Sequence, residues 1–212
     1  MVERAKKSFK KMIAGYNQFR DKYVHGDFSV MQQLSIQGQN PEIMVVSCCD
    51  SRVDPAVILQ CDPGDLFIAR NVANIVPAYI KDDKCHGTSA ALEFGVKFLK
   101  VEHLILFGHS QCGGVAALLN DGFGDDDDFL NSWVSQIKSE KIDTLSVDEY
   151  AEYALKKSYK NCLTFPWLKE RVEMNQLVIH LWFFDIKSGQ IFTYCHDQKG
   201  YKLLDELARE VD

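Results

Sequence analysis

The chain has 212 residues, 46% of them apolar and 25% charged, with a formal net charge of −6. This composition suits one folded domain that buries roughly 70% of the surface its unfolded chain exposes, and it excludes a largely disordered segment. The acidic balance argues against a nucleic-acid partner, and the longest apolar stretch, Leu177 to Phe184, is far short of the ~20 residues a membrane-spanning helix needs.

From the start of the chain, Val2, Ala5, Phe9, Met12, Ile13, Tyr16 and Phe19 recur at helical steps. They predict an amphipathic helix with a lysine-rich outer face and an apolar stripe that packs on something. This basic start has no apolar export segment, and the seven cysteines are an odd number, so we read them as reduced thiols and expect a cytoplasmic protein. Ile43 to Ser47 is a valine-rich run that predicts a buried strand ending at Cys48, and Asp54-Pro55 supplies a cap and a first-turn proline for a short helix. Leu66 to Ala69 predicts a second strand, and Thr88 or Ser89 is expected to cap a helix reaching about Lys100. His103 to Phe107 predicts a third strand, after which GHSQCGGVAALL turns helical again. Strand and helix alternate, which implies an α/β fold: a mostly parallel central sheet with helices on both faces and ligands beyond the strands' carboxyl ends.

The DGFGDDDD run at 121–128 lacks the ligand spacing of a calcium loop and reads as a solvated surface segment. Helical patterns follow at about 129–138 and 148–162. Leu177 to Phe184 predicts another strand, turned back by Lys187-Ser188-Gly189 into Ile191 to Cys195, which adds an antiparallel edge extension. Lys202 to Val211 is expected to be a last helix. We read residues 1–212 as one domain, with a helical arm (1–36), a core carrying the chemistry (37–118), and helices with a closing hairpin (119–212).

Cys48 and His109 fall just past the carboxyl ends of two predicted parallel strands, and Cys112 follows His109 across what reads as the first turn of a helix. Three donors therefore meet at one spot. Two thiolates and an imidazole suit Zn2+, and three protein ligands leave its fourth tetrahedral position open, as catalytic sites require. Singly these residues carry little, since cysteines are commonly buried and a lone histidine is commonly a satisfied polar group. Asp50 and Arg52 sharpen the reading: beyond capping a turn, the aspartate suits a hydrogen bond from zinc-bound hydroxide and the arginine suits a bidentate hold on that aspartate. A rival reading is a serine hydrolase, because GHSQC nearly reproduces a GxSxG elbow with Asp185 and His196 downstream; Cys112 stands where that elbow needs a small residue.

CCDSRVDP at 48–55, GDLFIARNVANIVP at 64–77 and GTSAALEFGVKFLKVEHLILFGHSQCGG at 87–114 resemble the beta-class carbonic anhydrases, strongly over residues 37–118 and in outline elsewhere. The resemblance implies one Zn2+ per chain on Cys48, His109 and Cys112, with Cys49 off the metal, and a catalytic dyad of Asp50 and Arg52. It points to the plant-like branch, in which Gln39 contacts substrate; the other branch has a tryptophan where Val45 stands. It assigns Phe67, Val72 and Phe94 to the apolar lining for the gas and Gly113 to the substrate-binding residues, Phe94 replacing a tyrosine frequent in relatives. The implied reaction is reversible hydration of carbon dioxide to bicarbonate and a proton, by zinc-bound hydroxide, on a small-molecule substrate. A homodimer or homotetramer is implied, with the N-terminal helix reaching across to a partner. Hydrolysis of carbonyl sulfide or carbon disulfide at the same kind of zinc site remains open from sequence.

Overall fold

Side chains alternate across β1 (Ile43–Cys48), and five of its six residues are buried. Met44 and Val46 join one hydrophobic cluster while Val45, between them, joins another, so both faces of this strand are covered. The computed structural model describes residues 2–25, 29–82, 84–120, 123–124, 128–140 and 144–206. The chain forms two compact units, Met1–Asn40 and Pro41–Asp212.

The first unit contains α1 (Val2–Tyr23) and α2 (Val30–Gln37). The expected stripe is present on α1, with Phe9, Met12, Ile13, Tyr16 and Phe19 all exposed. The two-turn α2 is absent from the sequence reading because VMQQLSIQ carries too few apolar residues to show a period; the Ser29 side chain caps it through Gln32 N, and Gly38 ends it at φ 76°.

In the second unit, β1 is followed by α3 (Pro55–Ile58), β2 (Leu66–Asn71), α4 (Gly87–Glu93), β3 (His103–His109), α5 (Gly113–Leu119), α6 (Leu130–Val134), α7 (Val147–Cys162), α8 (Pro166–Glu173), β4 (Val178–Asp185), β5 (Gln190–Cys195) and β6 (Gly200–Leu203). The six strands form one sheet in the order β2-β1-β3-β4-β5-β6. Strands β1 to β4 run parallel, and β5 and β6 add antiparallel edges. The α/β architecture expected from the alternation is therefore the one observed. The chain leaves β1 toward β2 on one side and later returns to β3 on the other, so the carboxyl ends of β1 and β3 flank a switch point where loops diverge and leave a crevice. Glycine allows α7 to approach there: a Cβ on Gly108 would lie 2.8 Å from Leu155 Cδ1.

Three expectations need correction. The helix before β3 is capped at His86, not Thr88 or Ser89, and after Glu93 it widens into a π turn over Phe94–Phe98. Packing sets that change, since a Cβ on Gly95 would come within 2.6 Å of Met44 Sδ and 3.2 Å of Phe67 Cδ1. Second, the strand holding His109 runs to His109 itself, so Cys112 occupies the cap before α5 and not its first turn; Gln111, in the left-handed region at φ 54°, makes the reversal. Third, the expected final helix begins as a strand: Gly200–Leu203 turns back antiparallel onto β5, and this hairpin pairing overrides the helical spacing of the tail. Residues 207–211 of that expectation, and most of the acidic run at 121–128, lie outside the described residues.

Candidate metal centre

β1 ends on Cys48 and β3 ends on His109, while the cap of α5 supplies Cys112. All three are buried, and one donor atom from each lies within 4.8 Å of the others. His109 Nδ1 sits 2.8 Å from the Ser110 carbonyl oxygen, which only accepts, so Nδ1 carries the proton. That leaves Nε2 as a bare lone pair, and it is buried without a hydrogen-bond partner. An orphaned buried imidazole nitrogen facing two thiols is the arrangement a soft, tetrahedral cation satisfies, so the donor set fits zinc.

The electrostatics agree. The Cys112 thiol beside it, together with His109 and the Asp50 backbone, holds the Cys48 thiol down to about 4, despite burial. The same Cys48 sulfur and burial push Cys112 up, opposed by the backbone N–H groups of Gly114 and Val115 at the start of α5. Burial opposes charging of His109, and the ionised Cys48 beside it outweighs burial and raises its pKa. The three close donors thus compete for protons, and a divalent cation bound to them displaces those protons.

Asp50 and Arg52 meet in the turn after β1. Arg52 Nε donates to Asp50 Oδ1 at 2.9 Å, Nη2 donates to Oδ2 at 2.7 Å, and the Arg52 backbone N–H donates to Oδ1 at 2.9 Å. The guanidinium hydrogen bonds hold the Asp50 carboxyl well below the usual carboxylate range. Arg52 Nη2 also donates to the Gln111 carbonyl at 3.2 Å, which ties the Cys48 loop to the His109–Cys112 loop. The Gln111 N–H in turn donates to Asp148 Oδ1, 2.6 Å away, from the first turn of α7.

The RNVAN segment has a structural explanation beside these loops. The Asn71 side chain donates to the Ile75 carbonyl at 2.9 Å and accepts from Ile75 N–H at 2.8 Å, bracketing a turn in which Ala73 and Asn74 take positive φ. Trp133 Nε1 donates to the Val72 carbonyl at 2.8 Å. Val72 packs where a Cβ on Gly114 would come within 2.8 Å, just after Cys112, and it lines a cavity of about 540 Å3 with Cys49, Phe129, Leu130 and Trp133. Phe67 and Phe94 form a ring pair with centroids 5.7 Å apart, Phe94 being 43% exposed. A Cβ on Gly113 would touch nothing within 4 Å. Gln39 is exposed in the N-terminal unit, beyond α2. Asp148 and Trp133 had no sequence signal, since their contacts span 37 and 61 residues.

The serine-hydrolase reading does not survive this geometry. Ser110 Oγ donates to Asp185 Oδ1 at 3.1 Å with no imidazole between them, and it accepts the Ile186 N–H at 2.9 Å. His196 instead packs against the rings of Tyr159 and Tyr194.

Residues 43–191 match the protein family described as "Carbonic anhydrase". The beta carbonic anhydrase 5, chloroplastic, of Arabidopsis thaliana is 37% identical over 165 residues, 73% of this chain and 54% of that relative. The chain therefore spans little more than half the length of that protein. The solved beta-carbonic anhydrase CcaA superposes with a TM-score of 0.80 at 27% identity, covering 92% of this chain and 99% of that one. A structure from a study of two tetrameric beta-carbonic anhydrases of Sordaria macrospora superposes with a TM-score of 0.70 at 30% identity, covering 91% and 96%.

Proposed function

We propose, from the premise that the chain belongs to the beta class of the carbonic anhydrase family, that it hydrates carbon dioxide reversibly to bicarbonate and a proton. The observation that carries the proposal is the convergence of Cys48, His109 and Cys112 within 4.8 Å beside a paired Asp50 and Arg52. Cys48, His109 and Cys112 would hold one zinc ion, which supplies the Lewis acidity that makes water a nucleophile near neutral pH.

The chain's own groups then orient the reaction. Asp50 is ionised and accepts only; Oδ1 already takes two hydrogen bonds and Oδ2 takes one, so a lone pair on Oδ2 is free for the attacking water. A water that donates to Asp50 presents its own lone pair to the carbon of carbon dioxide; a C–O bond forms, a proton leaves to solvent, and bicarbonate results. Arg52 keeps the carboxylate from turning by bonding both of its oxygens. Phe67, Val72 and Phe94 provide apolar walls suited to a nonpolar gas, and Gly113 contacts the substrate. The protein assembles as a homodimer or homotetramer through α1, whose exposed stripe a second copy covers. It works in the cytoplasm.

The test is exchange of 18O between labelled carbon dioxide and water, followed by mass spectrometry with zinc-loaded and zinc-stripped protein. Zinc-dependent loss of label supports the proposal. Hydrolysis of carbonyl sulfide without such exchange replaces it with the sulfur-substrate reading.

A further inference from the structure

We propose that Arg70 is a positioning residue for this reaction, fixing from β2 the backbone of the turn that carries Asp50 and Arg52. The proposal rests on the functional reading above.

Arg70 is a cation that follows the apolar run LFIA in β2, and it sits opposite Ser47 in the β1–β2 register. Its guanidinium is consumed by one short segment. Nε donates to the Cys48 carbonyl at 2.9 Å, Nη2 donates to the Asp50 carbonyl at 2.9 Å and the Val53 carbonyl at 3.0 Å, and Nη1 donates to Asp54 Oδ2 at 2.8 Å. Three carbonyls of residues 48–53 thus turn toward one side chain. The side chain is only 28% exposed, so its loss would leave acceptors poorly compensated by water.

These contacts bracket the dyad. Arg70 bonds neither the Asp50 carboxylate nor the Arg52 side chain; it holds the peptide groups on both sides of them. The Val53 N–H, closing the turn onto the Asp50 carbonyl at 3.0 Å, depends on that placement. Arg52 reaches the other way, to Gln111 after β3. Two arginines therefore tie the turn to the loops or strands on either side of β1, Arg70 through the backbone and Arg52 through the carboxylate. A planar fork can meet several carbonyls at once, whereas lysine keeps the charge and offers donors from a single point. Arg70→Lys consequently separates geometry from charge.

The experiment compares wild type, Arg70→Lys, Asp50→Asn and the double variant for zinc content, thermal midpoint, kcat and KM of carbon dioxide hydration, and amide hydrogen exchange. Arg70→Lys should fold and keep one zinc per chain. Exchange at the Arg52 and Val53 amides should quicken roughly 10-fold or more, while Ile105 and Leu106 in β3 stay unchanged. Its kcat should fall roughly 10- to 100-fold with KM within about 2-fold, and adding it to Asp50→Asn should cost less than about 3-fold more, because both act through one carboxylate. Unchanged exchange at Arg52 and Val53 would overturn the proposal, as would equal acceleration throughout the sheet or full additivity with Asp50→Asn. If zinc-loaded wild type does not hydrate carbon dioxide, the functional reading fails, and the exchange comparison alone still decides whether Arg70 holds the turn.

Discussion

Asp50 keeps its charge through the neutral range because Arg52 hydrogen bonds to both carboxylate oxygens and holds its pKa down. The dyad therefore does not titrate between pH 6 and 9, and any rise in hydration rate across that window belongs to the nucleophilic water. Asp50→Asn should lower kcat about 100-fold at every pH in this range without moving the midpoint of the profile, since an amide is a weaker acceptor and no longer pairs with Arg52. A stopped-flow pH profile showing wild-type rates for this variant contradicts the assignment. The three donors give a second expectation. Cys48→Ala, His109→Ala and Cys112→Ala should each lose zinc by elemental analysis, whereas Cys49→Ala, whose side chain is exposed and outside the donor cluster, should retain it. Retention of zinc by Cys48→Ala with loss by Cys49→Ala would reverse the ligand register.

The helix after Cys112 packs against the turn after β2, and two adjacent glycines there should behave differently. A Cβ at Gly114 meets Val72 Cγ1 at 2.8 Å and Ala73 Cβ at 3.2 Å, so Gly114→Ala should destabilise by about 1–3 kcal/mol in chemical denaturation. A Cβ at Gly113 meets nothing, so Gly113→Ala should leave the denaturation midpoint nearly unchanged; equal losses at both positions would refute the packing argument. On the sheet, burial lowers the pKa of His180, with the His103 charge adding to it. The unfolded chain then binds more protons just below pH 6.5, so stability should fall as pH drops below about that value. His180→Gln should flatten this slope, measured as denaturation midpoints from pH 7 to 5.5. The buried strands β1 and β3 were legible because their apolar runs exceed what a loop tolerates, and Cys48 and His109 were legible because they end those runs. The π turn at Phe94–Phe98 was not, because it answers to Met44 and Phe67 across the sheet; nor was β6, whose pairing to β5 overrides the helical spacing of the tail. Asp148 and Arg70 carry no local pattern either, since each acts on a loop more than fifteen residues away in sequence.

The second unit accounts for the donors and the dyad, while α1 leaves Phe9, Met12, Ile13, Tyr16 and Phe19 facing outward. Five large apolar groups on one helix cost solvation free energy that a second copy would recover. Deleting residues 1–20 should therefore shift the protein to a smaller species in light scattering, and an unchanged mass would remove α1 from the interface. The catalytic proposal itself rests on zinc held by three residues at the carboxyl ends of β1 and β3 and the cap of α5, and on an aspartate fixed beside them. Its most direct measurement is stopped-flow hydration of carbon dioxide from pH 6 to 9 by protein with a verified content of one zinc per chain, in wild type and Arg52→Ala. The account predicts a wild-type rate that rises with pH and disappears on zinc removal, and an Arg52→Ala protein that keeps its zinc but loses most of its activity. A zinc-loaded wild type with no acceleration over buffer, or an Arg52→Ala protein with the full wild-type profile, would contradict it.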